Sequence, residues 1–188
     1  LLEELGHSVK TIELTVPEQF VDDFVYLWEM LAFYTKHMGK PMFGKHYDAS
    51  KLTTFMHGLA KKHPKNMWKM PFFLYRLKKS YHDYAKMFAD MDVDLILTPT
   101  LAHTTPKLGH LSMNLEFDEM FPRMTDWACF TPYSNATGAP SISLPMGEDL
   151  LNDMPIGIML WANHGREDLL LDISYQLEEA HPWKKITE

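Results

Sequence analysis

Residues 130–147 read FTPYSNATGAPSISLPMG, and this stretch decides the fold. Its first half is small and polar, with Ser134, Asn135 and Thr137 offering local hydrogen bonds to the backbone, so residues 131–140 are expected to form a loop. Gly138 supplies a position without a Cβ where the chain needs positive φ or a close approach, and Pro140 sets the residue after it for an extended run. Residues 141–144, SISL, then read as a strand stopped by Pro145. Downstream, residues 155–160, PIGIML, read as another strand, and residues 167–180 as a helix carrying Leu169, Leu170, Ile173 and Leu177. Upstream, residues 94–98, DLILT, form an apolar strand closed by Pro99, followed by a loop over 99–116 punctuated by Pro and Gly. A helix around residues 117–129 puts Met120, Met124 and Trp127 on one face. Strands separated by helices, with near-continuous apolar runs, predict an α/β fold whose sheet is covered on both faces.

Further out, residues 72–91 carry Leu74, Leu77, Tyr81, Tyr84, Met87 and Phe88 at helical spacing, with Arg76, Lys78, Lys79 and Lys86 off that face. Residues 40–69 break into short pieces rich in Lys, His, Met and Pro, with a turn of helix expected around 52–59. Pro17 opens a helix to about residue 37, on which Phe20, Phe24, Leu27, Leu31 and Tyr34 form a wide apolar stripe, with Gly39 past its end. Residues 8–14 alternate Val9, Ile12 and Leu14 with polar neighbours and read as a strand. Leu1, Leu2 and Leu5 followed by Gly6 read as the end of a helix whose beginning lies before residue 1.

Three segments in this order resemble the amidase-signature family: DLILTPTLAHTTPKLG at 94–109, FTPYSNATGAPSISLPMG at 130–147 and PIGIMLWANHGREDLLLDISYQLEEA at 155–180. In that family a strand ending in Pro-Thr comes first. A loop N-x-T/S-G-x-P follows, running into an apolar strand and Leu-Pro or Val-Pro. Then come P-[IV]-G-[IL] and a helix beginning with Glu. Each motif is weak alone, and their conjunction in order is specific. The wording is closest to the bacterial branch that includes hydrolases of cyclic aminohexanoate dimers. The resemblance implies that residues 1–188 form the C-terminal segment of an amidase domain, a mixed sheet covered by helices, lacking the N-terminal part with the serine-rich loop.

Members of that family cleave an amide with a serine nucleophile, a second serine held by a cis peptide and a lysine as ultimate base. Serine is inert until a neighbouring base takes its proton, and a desolvated lysine can be neutral enough to do so. Residues 1–188 contain no Gly-Gly-Ser-Ser, G-x-S-x-G or S-x-x-K, and their eight serines are scattered singly, so no catalytic residue carries over. The implied parent hydrolyses an amide bond of a small, partly apolar molecule, with this segment supplying strands and a wall of the pocket and being inactive alone. The alternative reading is a binding or interaction module that keeps the architecture without chemistry. Open α/β sheets place their sites at the carboxyl ends of strands. That rule selects Thr98 and Thr100 after DLIL, and Thr131 and Asn135 before SISL, as substrate-binding residues.

Composition bounds the remaining classes. With 46% hydrophobic and 23% charged residues the chain has the make-up of a folded protein, and a net charge of −7 spread along it makes nucleic acid an unsuitable partner. No run approaches the roughly 20 apolar residues that span a bilayer, so no membrane partner is expected. Glu3 and Glu4 stand where a signal peptide would be basic, and a lone Cys129 suits a reducing, cytoplasmic location. Without a secretory signal the sequon Asn135-Ala136-Thr137 is a coincidence. Cys129, near Trp127 and Phe130, reads as a buried inert thiol, and the 14 methionines as core filler. The ten histidines lack the i, i+4 pairing with an intervening Glu of a zinc helix, so His46, His57 and His63 read as surface residues and His103 and His110 as loop residues. No metal and no cofactor is implied. The isolated chain is expected to self-associate through an unpaired edge at 8–14 and an uncovered apolar stripe at 20–34.

Overall fold

The computed structural model describes residues 1–14, 16–151 and 153–184, and the chain divides into two units. One is formed by Leu1–Thr15, Lys79–Thr105 and Ala128–Glu188, the other by Val16–Lys78 and Pro106–Trp127. The boundary at Lys78 falls inside one helix, α3 (Met70–Met91), so the chain passes from the second unit to the first without a loop.

The first unit is built on three strands, β1 (Leu95–Pro99), β2 (Ser141–Asp149) and β3 (Met154–Ala162), in the order β1-β3-β2. The α/β class is the one the sequence implied, and both pairings are antiparallel. Because side chains alternate across a strand, β3 sends Leu160 and Ala162 to one face and Met159 and Trp161 to the other. The first face packs on α6 (Glu167–Ala180) through Leu170, Ile173 and Leu177, joined by Leu144 of β2. The second meets a short helix, α5 (Pro132–Thr137), where the Tyr133 ring lies 6.2 Å from that of Trp161. Tyr84 of α3 stands beside Tyr133 and donates its hydroxyl to the Ala162 carbonyl at 3.1 Å. The second half of β3, Met159 to Ala162, is thus buried on both sides, which is why its residues are apolar without alternation, while Pro155 and Ile156 at its start are exposed.

Two strand expectations are corrected. Pro145 does not stop SISL; β2 continues to Asp149, and the register steps from Leu144↔Ile158 to Gly147↔Ile156, leaving Pro145 and Met146 opposite Gly157 alone. A bulge is a place where a strand tolerates proline, since no ladder donor is needed there. Residues 8–14 form no strand. Lys10 instead donates from Nζ to the carbonyls of Met91 (2.7 Å) and Asp92 (3.0 Å), so a side chain capping the end of α3 holds this segment in place of a backbone ladder. Residues 1–6 make a single hydrogen-bonded turn, Leu5 N to Leu1 O at 3.0 Å.

The second unit packs α1 (Glu18–Phe43), α2 (Thr54–Asn66) and α4 (Phe117–Trp127) around Ala32, Phe55, Leu59, Ala60 and Met120. Helix α1 starts after Pro17 as expected but runs past Gly39 and through Pro41. Gly39 is not a terminator: a Cβ there would collide with the Tyr47 ring, so the glycine serves a close approach inside the helix. Its buried face holds Tyr26, Glu29 and Ala32, while Leu31 and Tyr34 of the expected stripe are exposed. The displacement follows from Glu29, a buried carboxylate that accepts from Asn66 Nδ2 at 2.8 Å and that an apolar count scores as surface. Residues 54–66 are one continuous helix rather than fragments, with Thr53 Oγ1 accepting from Met56 N at 3.3 Å. Phe55, Leu59, Ala60 and His63 make its buried stripe.

Candidate functional site

The second face of the sheet carries hydroxyls. Register pairs Ser141 with Trp161 and Ser143 with Met159 on one side of β3, and Ile96 with Trp161 and Thr98 with Met159 on the other. Paired residues point to the same side, so Ser141, Ser143 and Thr98 share the face of Met159 and Trp161. Thr100, two residues beyond Thr98, joins them: its hydroxyl lies 2.7 Å from that of Ser143, across β3. The strand between is open at that point because residue 157 is glycine. A Cβ on Gly157 would sit 2.8 Å from Thr100 Oγ1 and 3.1 Å from Ser143 Oγ. The Gly157 carbonyl meanwhile accepts from Thr100 N at 3.0 Å and fixes the chain where β1 ends.

Helix α5 brings the other two expected residues to this side. Residues 131–140 are not a loop throughout; Pro132 occupies the first turn, and side chains bond back onto carbonyls, Asn135 Nδ2 to Thr131 O at 2.8 Å and Thr137 Oγ1 to Tyr133 O at 2.9 Å. These bonds close a helical turn that periodicity is too short to reveal, and Gly138, at φ 70°, ends it in the left-handed conformation anticipated for it. Ser134 Oγ, which is buried, reaches to 3.4 Å from Ser141 Oγ and so sets α5 against the hydroxyl face. At the far end His164 stacks on Tyr81 at 3.8 Å and donates from Nε2 to Thr137 O at 3.0 Å. Burial pushes the Tyr84 and Tyr133 hydroxyls up from their ordinary value, with Asp83 adding to the effect at Tyr133, so both stay protonated.

Thr98 and Thr100 therefore share one face with Ser141 and Ser143, while Thr131, capping α5, and Asn135 within it are bonded to each other, and Ser134 of that helix reaches Ser141. Those serines were not selected from the sequence as site residues, although SISL places hydroxyls at alternate positions, the spacing that gathers them on one side of a strand. The carboxyl-end rule that selected Thr98 belongs to parallel sheets and does not describe this one, in which β3 runs against its neighbours.

Elsewhere two readings are corrected. Cys129 is exposed, because it lies past the end of α4 and belongs to no helix face. His63 is buried, with the rings of Phe33, Tyr26 and Tyr34 at 4.9, 5.4 and 5.8 Å and neither ring nitrogen partnered. Burial lowers its pKa, and the nearby Glu29 carboxylate opposes that shift. Among the described residues no helix is long and apolar enough to cross a membrane.

Comparison with known proteins gives a family match to Amidase over residues 1–171. A putative amidase, AmiC, of Mycobacterium tuberculosis is 40% identical over 187 residues, covering 99% of this chain and 39% of that protein. The 6-aminohexanoate-cyclic-dimer hydrolase of Paenarthrobacter ureafaciens is 38% identical over 96 residues, 48% of this chain and 19% of that one. Among solved structures, that of a 6-aminohexanoate cyclic dimer hydrolase complexed with substrate superposes with a TM-score of 0.76 at 24% identity, covering 97% of this chain and 39% of the other. A bacterial aryl acylamidase of the amidase signature enzymes superposes at 0.65 with 20% identity, over 96% and 38%. At these identities the superpositions speak for the fold. The chain spans about two fifths of the length of AmiC, 39%.

Proposed function

This chain belongs to the amidase family, and from that premise we propose that the whole protein hydrolyses a carbon–nitrogen amide bond of a small molecule. The observation that carries the reading is the family match over residues 1–171 together with 40% identity to AmiC along nearly all of this chain. The nucleophilic serine, its partner serine and the lysine base come from residues outside these 188, a division supported by the absence of any serine-rich motif in the sequence and by the 39% coverage of AmiC. This segment contributes strands and a wall of the substrate pocket, lined by Thr98, Thr100, Thr131 and Asn135, and its partners are the amide substrate and the catalytic part of the protein. Its place is the cytoplasm, a reading that rests on the lone cysteine.

The test is direct. Incubated with a panel of small aliphatic and aromatic amides and esters, the 188-residue chain is expected to give no turnover above buffer. Turnover that persists through repurification would mean that a nucleophile and base exist within these residues, and the division of labour proposed here would fall.

A further inference from the structure

The hydroxyl face has a feature that packing alone does not call for. Thr100 Oγ1 and Ser143 Oγ come from the two outer strands and meet 2.7 Å apart above β3, over the one residue that lacks a side chain. Two hydroxyls bonded to each other use one of their two protons, so the pair keeps one O–H donor for a third group. Ser143 is exposed and Thr100 half-buried, which leaves that donor within reach of a ligand. The bulge at Pro145 and Met146 stands opposite Gly157, and bulges re-aim side chains beside sites. Thr98 lies on the same face, but its Oγ1 is closed to solvent, so the donor this face leaves open to a ligand is that of the Thr100–Ser143 pair.

The strand residues of this face are also uncharged. Ile96, Thr98, Thr100, Ser141, Ser143 and Gly157 include no ionisable group, and their neighbours Met159 and Trp161 add none. A carboxylate or ammonium placed there would lose hydration and find no countercharge, whereas a carbonyl oxygen needs only a donor. We propose that Thr100, Ser143 and Gly157 form a subsite that binds the carbonyl of an uncharged amide and discriminates against charged analogues. This rests on the amidase reading for its ligand class. Thr100 and Ser143 supply the hydrogen bond, and Gly157 is a positioning residue that keeps the notch open.

The experiment is a titration of the isotope-labelled whole protein, followed by NMR, with hexanamide, hexanoate and hexylammonium. The expected result is a saturable shift of the Thr100, Ser143 and Gly157 backbone amides with hexanamide, and binding at least about tenfold weaker for the two charged probes. Thr100→Val, Ser143→Ala and Gly157→Ala are each expected to weaken the hexanamide response while resonances of α6 and α2 stay in place. Ser143→Ala, at an exposed position, keeps the test valid if either of the others unfolds. No response to hexanamide, a response confined to other residues, equal binding of all three probes, or full binding by Ser143→Ala would each overturn the subsite. Turnover assays on the whole protein address the other reading separately. Binding at the notch with no amide hydrolysis by the whole protein removes the amidase reading and keeps the subsite.

Discussion

At the scale of single residues, His63 shows how a polar letter in the sequence can become a core position. Its imidazole is enclosed by Phe33, Tyr26 and Tyr34, with Glu29 the charged group beside it, and burial lowers its pKa from the ordinary value of about 6.5. The folded state then holds fewer protons on this ring than the unfolded state at mildly acid pH. The stability it contributes is complete above about pH 6.5 and is lost as pH falls toward the depressed folded value. Thermal melts between pH 7 and 5 are expected to show a falling midpoint, and His63→Phe, which fills the same aromatic site without a titrating group, is expected to flatten that slope. A variant with the original slope would assign the pH dependence to other groups.

Among the elements, α1 and β2 both run through residues that read as stops. Gly39 and Pro145 read as punctuation along the sequence, yet one lies inside a helix against the Tyr47 ring and the other in a bulge of β2. Gly39 allows a quantitative test. Replacing it by alanine should gain about 1 kcal/mol of helix propensity. The added Cβ collides with the Tyr47 ring, and overpacking of this kind costs about 1–3 kcal/mol. Chemical denaturation is expected to show Gly39→Ala as destabilising in the native background and stabilising in a Tyr47→Ala background, the sign reversal being the coupling between the two positions. If Gly39→Ala were stabilising in both, the glycine would have no packing role inside α1.

At the scale of the whole molecule, several large apolar side chains have no cover. Val21 and Leu31 are exposed on α1, and Leu150 and Leu151, 93% and 91% exposed, stand in the β2–β3 turn. Surface of this kind finds a partner when one is present. Light scattering across a concentration series, with a dye that reports apolar surface, is expected to show self-association and dye binding for the isolated 188 residues. A monodisperse, dye-silent chain at every concentration would mean that these groups do not act as a patch, and would favour a self-sufficient module over a segment of a larger enzyme. The edge once expected at residues 8–14 has no part in this, since those residues form no strand.

Much of this protein was legible in its sequence. Three strands, the two long helices expected at residues 17–37 and 72–91 and found at 18–43 and 70–91, and the closing helix follow from period and from proline and glycine, and the family follows from three ordered motifs, because local backbone preference and side-chain alternation are written in neighbouring residues. Thr98, Thr100, Thr131 and Asn135 follow instead from a carboxyl-end rule, which this antiparallel sheet does not obey. What the tertiary structure alone decided was which faces and partners they have: the antiparallel order β1-β3-β2, the bulge opposite Gly157, the Thr100–Ser143 pair and the buried state of His63 and Glu29. Each of these joins residues far apart in the chain, 43 positions apart for Thr100 and Ser143, and a contact at that separation is selected by packing and hydrogen-bond satisfaction across elements. No local pattern along the sequence contains it.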